Sequence, residues 1–145
     1  MLNKASITVR TPIEVRYQET DQMGVVYHAN YLVWFEIGRT KYIENLGLSY
    51  AKMEQENVVS PVIDANLSFK KPIKYGEDAF VETWLEEYDG LRTVYGYHII
   101  NSNGEIAVSG TTKHVIVHKE SFRPLSLRRS FPDWHEKYVM QIKGE

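Results

Sequence analysis

The chain carries two kinds of hydrophobic pattern in succession. Across residues 13–17, Ile13, Val15 and Tyr17 alternate with Glu14 and Arg16, the period of two expected of a half-buried strand. After Asp21-Gln22-Met23-Gly24, which reads as a turn, the period changes. Tyr31, Trp34, Phe35, Gly38, Tyr42 and Leu46 recur at spacings of three and four and predict a helix over residues 30–46. Asn30 suits its N-cap and Gly47 the position just past its C-cap. Leu32, Val33 and Ile37 fill the other side of its first half, so this helix is expected to be central and covered by something large. A shorter, more polar helix or turn is expected over residues 49–57.

From residue 58 the pattern is that of long strands. Residues 58–71, 79–88, 92–100 and 105–118 are rich in Val, Ile, Thr and Tyr, and their succession predicts an antiparallel meander. Pro72 and Gly76 separate the first two. Asp89-Gly90 and Asn103-Gly104 suit tight type I′ hairpins, whose central residues both need positive φ. Ser130-Phe131-Pro132-Asp133 opens a short C-terminal helix that runs to about Met140. The expected class is α+β, a curved antiparallel sheet of about five strands wrapped around one long helix. Its edge strands would be long and unprotected, and such edges call for pairing with another chain.

A length of 145 residues is that of one domain, 1–145, and no linker, low-complexity tract or repeat divides it. The absence of cysteine excludes disulfides, thiolate metal sites and cysteine nucleophiles. Seventeen Lys and Arg against nineteen Asp and Glu give no general electrostatic attraction for nucleic acid. No apolar run has the length of a membrane span, and residues 1–6 lead into no signal-peptide core, so a cytoplasmic location is expected. Glycine-rich phosphate loops, G-x-S-x-G elbows and H-E-x-x-H pairs are missing. His114 and His118 could form a metal pair on a helix. With Val115-Ile116-Val117 between them they lie on a strand, roughly 13 Å apart, and are expected to be hydrogen-bonding histidines rather than ligands.

The candidate chemistry lies in residues 16–31. Asp21 begins a turn that Gly24 closes, and on that ground alone Asp21 could simply cap the turn. The turn, however, delivers the chain through Val25-Val26-Tyr27-His28 to the start of the long helix, whose first N–H groups lack intrahelical partners and carry partial positive charge. A carboxylate beside such a helix end suits acyl transfer: one group attacks or activates water, and the other polarises the carbonyl.

The run Tyr17-x-x-Thr20-Asp21-x-x-Gly24-x-Val26-Tyr27-His28-x-Asn30-Tyr31, followed by Trp34-Phe35-Glu36-x-x-Arg39, resembles the signature of hotdog-fold acyl-CoA thioesterases of the 4-hydroxybenzoyl-CoA thioesterase-like family. The resemblance continues through Pro61-Val62 and Phe69-Lys70-Lys71-Pro72 to the strand ending near His118. It implies a hotdog fold and thioester hydrolysis without metal or redox cofactor, the CoA thioester being substrate. Asp21 would be the catalytic carboxylate, either as nucleophile through a mixed anhydride or as general base on water. The His28 backbone N–H would help polarise the carbonyl.

Tyr27 and Asn30 match motif positions, with core packing and helix capping as their structural alternatives. The His28 side chain would relay a proton to the leaving group or serve only to position. The family closes its site at a dimer interface, which makes Ser60 and Asp64 candidates for the wall supplied by the opposite subunit. A homodimer, or a tetramer of paired dimers, is implied. The phosphates of CoA have candidate partners in Lys70, Lys71 and Lys74 and in Lys113, Lys119, Arg123, Arg128 and Arg129, read together as one docking patch. An acyl-carrier-protein thioester is the alternative substrate. A non-catalytic acyl-thioester binding module is the alternative role, and a hotdog dehydratase resembles the loop less.

Overall fold

The computed structural model describes residues 6–143, so residues 1–5, read above for a leader, lie outside the described residues. Strand β1 (Val9–Glu14) and a single 3-10 turn (Tyr17–Glu19) lead through the Asp21 turn into helix α1 (Asn30–Asn45) and the short α2 (Tyr50–Gln55). Strands β2 (Val58–Val59), β3 (Val62–Phe69), β4 (Asp78–Tyr88), β5 (Arg92–Ile100), β6 (Ile106–Val115) and β7 (Val117–His118) follow, then α3 (Leu127–Ser130) and α4 (Pro132–Lys143). Five strands form one antiparallel sheet in the order β1-β4-β5-β6-β3, with α1 packed across β1, β4 and β5. This is the expected hotdog architecture.

Helix α1 buries Tyr31, Trp34, Phe35, Gly38 and Tyr42 as its spacing predicts, and Ile43 besides; Leu46, the last predicted position, caps the helix and is half-buried. Phe35 stacks on Tyr97 with ring centroids 4.1 Å apart. Gly38 permits this close approach, because a Cβ there would collide with Val81 and Thr83 of β4. Gly47, at φ +80°, ends the helix, and the Leu48 N–H returns to the Ile43 carbonyl. At the far end of the sheet α4 closes the core: the Tyr138 and Tyr95 hydroxyls are 2.6 Å apart and Tyr42 bonds Gln141. No helix among the described residues is long and apolar enough to cross a membrane.

Several expectations need correction. The run 58–71 is two strands, because Pro61 offers no N–H and the Ser60 N–H turns away to the Tyr50 hydroxyl. Residues 105–118 divide in the same way at Ile116, whose N–H bonds Leu91 instead of continuing the β6 ladder. The meander holds for β4, β5 and β6 only; β3 crosses to the far edge and pairs with β6. The hairpin loops are not type I′. Only Gly90 and Gly104 take positive φ, while the side chains of Asp89 and Asn101 accept backbone N–H bonds within their own loops. The N-cap of α1 is Ala29 rather than Asn30. Finally, α1 is covered on one side only: Leu32, Val33 and Ile37 remain 42%, 44% and 38% exposed in the single chain.

Candidate active site

The Asp21 turn is fastened to the sheet and to α1. Its closure is local: the Asp21 N–H donates to the Val25 carbonyl at 2.8 Å and the Gly24 N–H to the Asp21 carbonyl at 3.0 Å, with Gly24 at φ +79°. The Asp21 Oδ1 accepts from the N–H of Met23 at 2.8 Å and, more weakly, of Val25 at 3.4 Å. Val26 donates to the Ile73 carbonyl and buries its side chain, which pins the loop to the chain entering β4. Asp21 thus does cap its turn, as its sequence position allowed. It is also half-exposed, so the carboxylate is accessible from outside the chain.

Behind the turn lies Glu19, which sequence reading passed over. Its side chain is buried, and its carboxylate accepts from the Arg16 N–H at 2.9 Å, the Arg16 guanidinium at 3.2 Å and the Trp34 indole N–H at 3.0 Å. Burial alone would push its pKa up; those hydrogen bonds and the Arg16 charge outweigh it and hold the carboxyl below its ordinary value. The Glu19 carbonyl accepts from the Tyr27 N–H at 2.8 Å and the Asn30 side-chain amide at 2.9 Å. One residue therefore ties the start of the loop to both the end of the loop and the first turns of α1. The available signal was a carboxylate two positions before Asp21 on a segment that alternates in and out.

Asn30 acts in this brace rather than as a helix cap. Tyr27 is not a core residue either: it is 50% exposed and its ring lies 4.4 Å from that of His28. The exposed His28 ring also meets Phe69 at the end of β3, with centroids 6.1 Å apart. Phe69 was not anticipated as a site residue. Among the described residues, neither the His28 nor the Ala29 backbone N–H bonds a backbone carbonyl, whereas those of Asn30, Tyr31 and Leu32 do. Two donors at the helix entrance are thus left for an outside acceptor, in the same loop as Asp21.

The other candidates are spread more widely. Ser60 lies at the kink between β2 and β3, and Asp64 lies on the exposed edge strand, bonded to Asn66 at 3.0 Å. Neither is brought to Asp21 within one chain by any hydrogen bond. His114 is buried, with its ring nitrogens on the Thr112 hydroxyl and the Ser60 carbonyl, as expected of a hydrogen-bonding strand histidine. The basic residues are attached to different parts of the fold. Lys70 and Lys71 follow β3 and bond the Ala107 carbonyl, whereas Arg123 bonds His118 and Arg128 lies on α3. Lys71 is further engaged by Glu105 at 2.7 Å.

Residues 15–137 match the model of the thioesterase-like superfamily, a span that takes in the Asp21 loop, α1 and every strand of the sheet except β1. The chain belongs to this superfamily. The chain is similar to YneP of Bacillus subtilis, named provisionally as an acyl-CoA thioesterase, which is 60% identical over 126 residues covering 87% of this chain and 91% of that one. The crystal structure of a DHNA-CoA thioesterase from Staphylococcus aureus superposes with a TM-score of 0.91 at 47% identity, covering 95% of each chain. The acyl-CoA thioester hydrolase YbgC of Escherichia coli O6:H1 is 26% identical over 121 residues, 83% of this chain and 90% of that one. As a member of the thioesterase-like superfamily, the chain is an enzyme of the thioester hydrolase class.

Proposed function

We propose that the chain hydrolyses an acyl-CoA to the free acid and CoA, with Asp21 as the catalytic carboxylate and the helix entrance at His28 as the oxyanion site. The observation that carries this reading is the joining of an accessible carboxylate and two unengaged backbone N–H groups within one braced loop. A thioester carbonyl oxygen held by the His28 and Ala29 N–H groups would present its carbon to Asp21. In the covalent route an Asp21 oxygen adds to that carbon, the carbon–sulfur bond breaks, and the thiolate leaves and takes up a proton. Water then cleaves the mixed anhydride and regenerates Asp21. In the alternative, Asp21 removes a proton from the water that attacks.

The active unit in this reading is a homodimer. Strand β3 is exposed along its length at the edge of the sheet, and Val62, Ile63 and Phe69 on it are exposed together with Leu32, Val33 and Ile37 of α1. An isologous pairing of two β3 edges would cover both sets and set Ser60 and Asp64 of the partner subunit beside the loop. The relatives' names favour CoA over carrier protein, and the Staphylococcus aureus relative favours an aromatic acyl group. Lys70, beside the site, is the phosphate candidate that this arrangement retains best.

Asp21→Asn is expected to lower thioester hydrolysis at least ~10²-fold, the scale of a lost general base or nucleophile, with the fold unchanged by circular dichroism. Near-wild-type activity in that variant would overturn the assignment. Label found in Asp21 after single-turnover hydrolysis in oxygen-18 water is expected where water attacks the anhydride at its Asp21 carbonyl, since the general-base route puts label only into the product acid. A panel of benzoyl-, hydroxynaphthoyl- and hexanoyl-CoA, with the matching carrier-protein thioesters, identifies the substrate class.

A further inference from the structure

Ser60, at the kink between β2 and β3, is held from two sides. Its N–H donates to the Tyr50 hydroxyl of α2 at 2.8 Å, and its carbonyl lies 3.0 Å from the His114 Nδ1 of β6. Pro61 follows, its φ fixed by the ring and its carbonyl accepting from the Val115 N–H at 3.4 Å. The hydroxyl is what Ser60 has left: on this half-buried residue it has no hydrogen-bond partner among the described residues.

The His114 anchor is itself the end of a chain. Thr112 and His114 are two positions apart and share one face of β6. The Thr112 hydroxyl lies 2.9 Å from His114 Nε2 and 2.6 Å from the Tyr97 hydroxyl, and Tyr97 accepts from the Arg39 guanidinium of α1 at 3.1 Å. Tyr97, Thr112 and His114 are all buried.

The two ends fix the direction of every bond between them, because a carbonyl only accepts and a guanidinium only donates. His114 therefore carries its proton on Nδ1 and offers it to Ser60. Its Nε2 accepts from Thr112, Thr112 accepts from Tyr97, and Tyr97 accepts from Arg39. An imidazolium would donate from Nε2 as well and turn the Thr112 hydroxyl toward Tyr97, whose buried proton would then have no acceptor in the chain. The other ionisable groups around the same cavity are Glu36 of α1 and the phenols of Tyr50, Tyr95 and Tyr138, and none of them hydrogen-bonds the imidazole. A fully satisfied buried polar chain specifies one arrangement, and the arrangement specified here is that of Ser60.

We propose that Tyr50 and His114 are positioning residues for thioester hydrolysis: they clamp the Ser60 backbone so that its hydroxyl meets the thioester held at Asp21 of the partner subunit, while Arg39, Tyr97 and Thr112 fix the His114 tautomer. The inference rests on the dimeric thioesterase reading above, which sets Ser60 beside that loop.

Steady-state hydrolysis of the fastest-cleaved acyl-CoA of the panel above tests it, with circular dichroism checking each variant. Ser60→Ala is expected to lower kcat about tenfold with KM changed less than about twofold. Tyr50→Phe and His114→Leu are each expected to lower kcat about fivefold, and neither adds to the loss in a double variant with Ser60→Ala, because both act through the hydroxyl already removed. His114→Asn, which still offers an N–H to the Ser60 carbonyl, restores part of the loss. Tyr50→Phe carries the test alone where His114→Leu fails to fold. Full activity in Ser60→Ala, or losses that multiply in the double variants, overturn the proposal; with Asp21→Asn inactive the thioesterase reading still stands. An Asp21→Asn variant as active as the wild type overturns that reading and the proposal with it. Nitrogen-15 NMR of the wild-type protein at pH 7 is expected to show His114 as the Nδ1–H tautomer, and an Nε2–H tautomer or an imidazolium overturns the chain.

Discussion

Replacing Glu19 with alanine would leave the indole N–H of Trp34, a wholly buried residue, without its acceptor, and would free the Arg16 end of the loop. A buried donor left unsatisfied costs about 1–3 kcal/mol, so Glu19→Ala is expected to lower the unfolding free energy by that amount in urea denaturation. Hydrolysis should fall further than stability explains, at least tenfold at temperatures where the variant is fully folded, because small displacements of a catalytic group are costly. Activity equal to wild type in the folded variant would show that the brace is structural only. Glu19→Gln, which still offers an amide oxygen to Trp34, should recover part of both losses.

His114 sets a pH dependence at the same scale. Burial pushes its pKa down from 6.5 to about 4, aided by the nearby Arg39 charge, although its bond to the Ser60 carbonyl works the other way. Between those values the unfolded chain binds a proton that the folded chain refuses, so stability falls as pH drops from 6.5 toward 4, by about 2–3 kcal/mol in all. Glu19, whose pKa is lowered, contributes stability that is complete above its ordinary value and is lost only below it, which separates the two windows. Urea midpoints at pH 7 and pH 4.5, taken at one protein concentration, should differ in the wild type and much less in His114→Gln. A parallel drop in both proteins would remove His114 as the cause.

Among the elements, what could be read from the chain depended on whether the cause was local. Helix α1 was legible because its buried stripe and Gly47 stop are written within residues 30–47, and β5 because Arg92 and Ile100 are bounded by loops at both ends. Asn30 misled for a local reason as well: its type favours a cap, but the Glu19 carbonyl, eleven positions earlier, claims its amide. The breaks at Ser60 and Ile116 depend on distant partners, Tyr50 and Leu91, and no spacing announces them. The crossover of β3 is also non-local, since adjacent strands in sequence need not be adjacent in the sheet. For the site, Asp21, Gly24 and His28 were legible as a loop delivering a helix. Glu19 and Phe69 were not, because their roles arise from packing between separated segments.

For the molecule as a whole, the exposed half of α1 is what the proposed dimer would cover. Leu32, Val33 and Ile37 stand exposed on the helix, and the edge strand β3 is exposed at every residue but Leu67. Fully burying an aliphatic side chain contributes ~1.5–3 kcal/mol, and these residues, near 40% exposed, have under half of that left to gain, so covering six per dimer offers a few kcal/mol for association. Ile37→Glu tests this without disturbing the single chain, because Ile37 is already 38% exposed there. In a two-fold dimer it places like charges on facing helices, an arrangement that costs several kcal/mol. Sedimentation equilibrium should therefore find a dimer in the wild type and a monomer in Ile37→Glu at micromolar concentration. The secondary structure should be retained and hydrolysis lost, because in the proposed dimer Ser60 and Asp64 of the partner subunit would no longer lie beside Asp21. A wild-type protein that is monomeric and fully active would end the dimer reading, and an Ile37→Glu dimer with normal activity would move the interface away from α1.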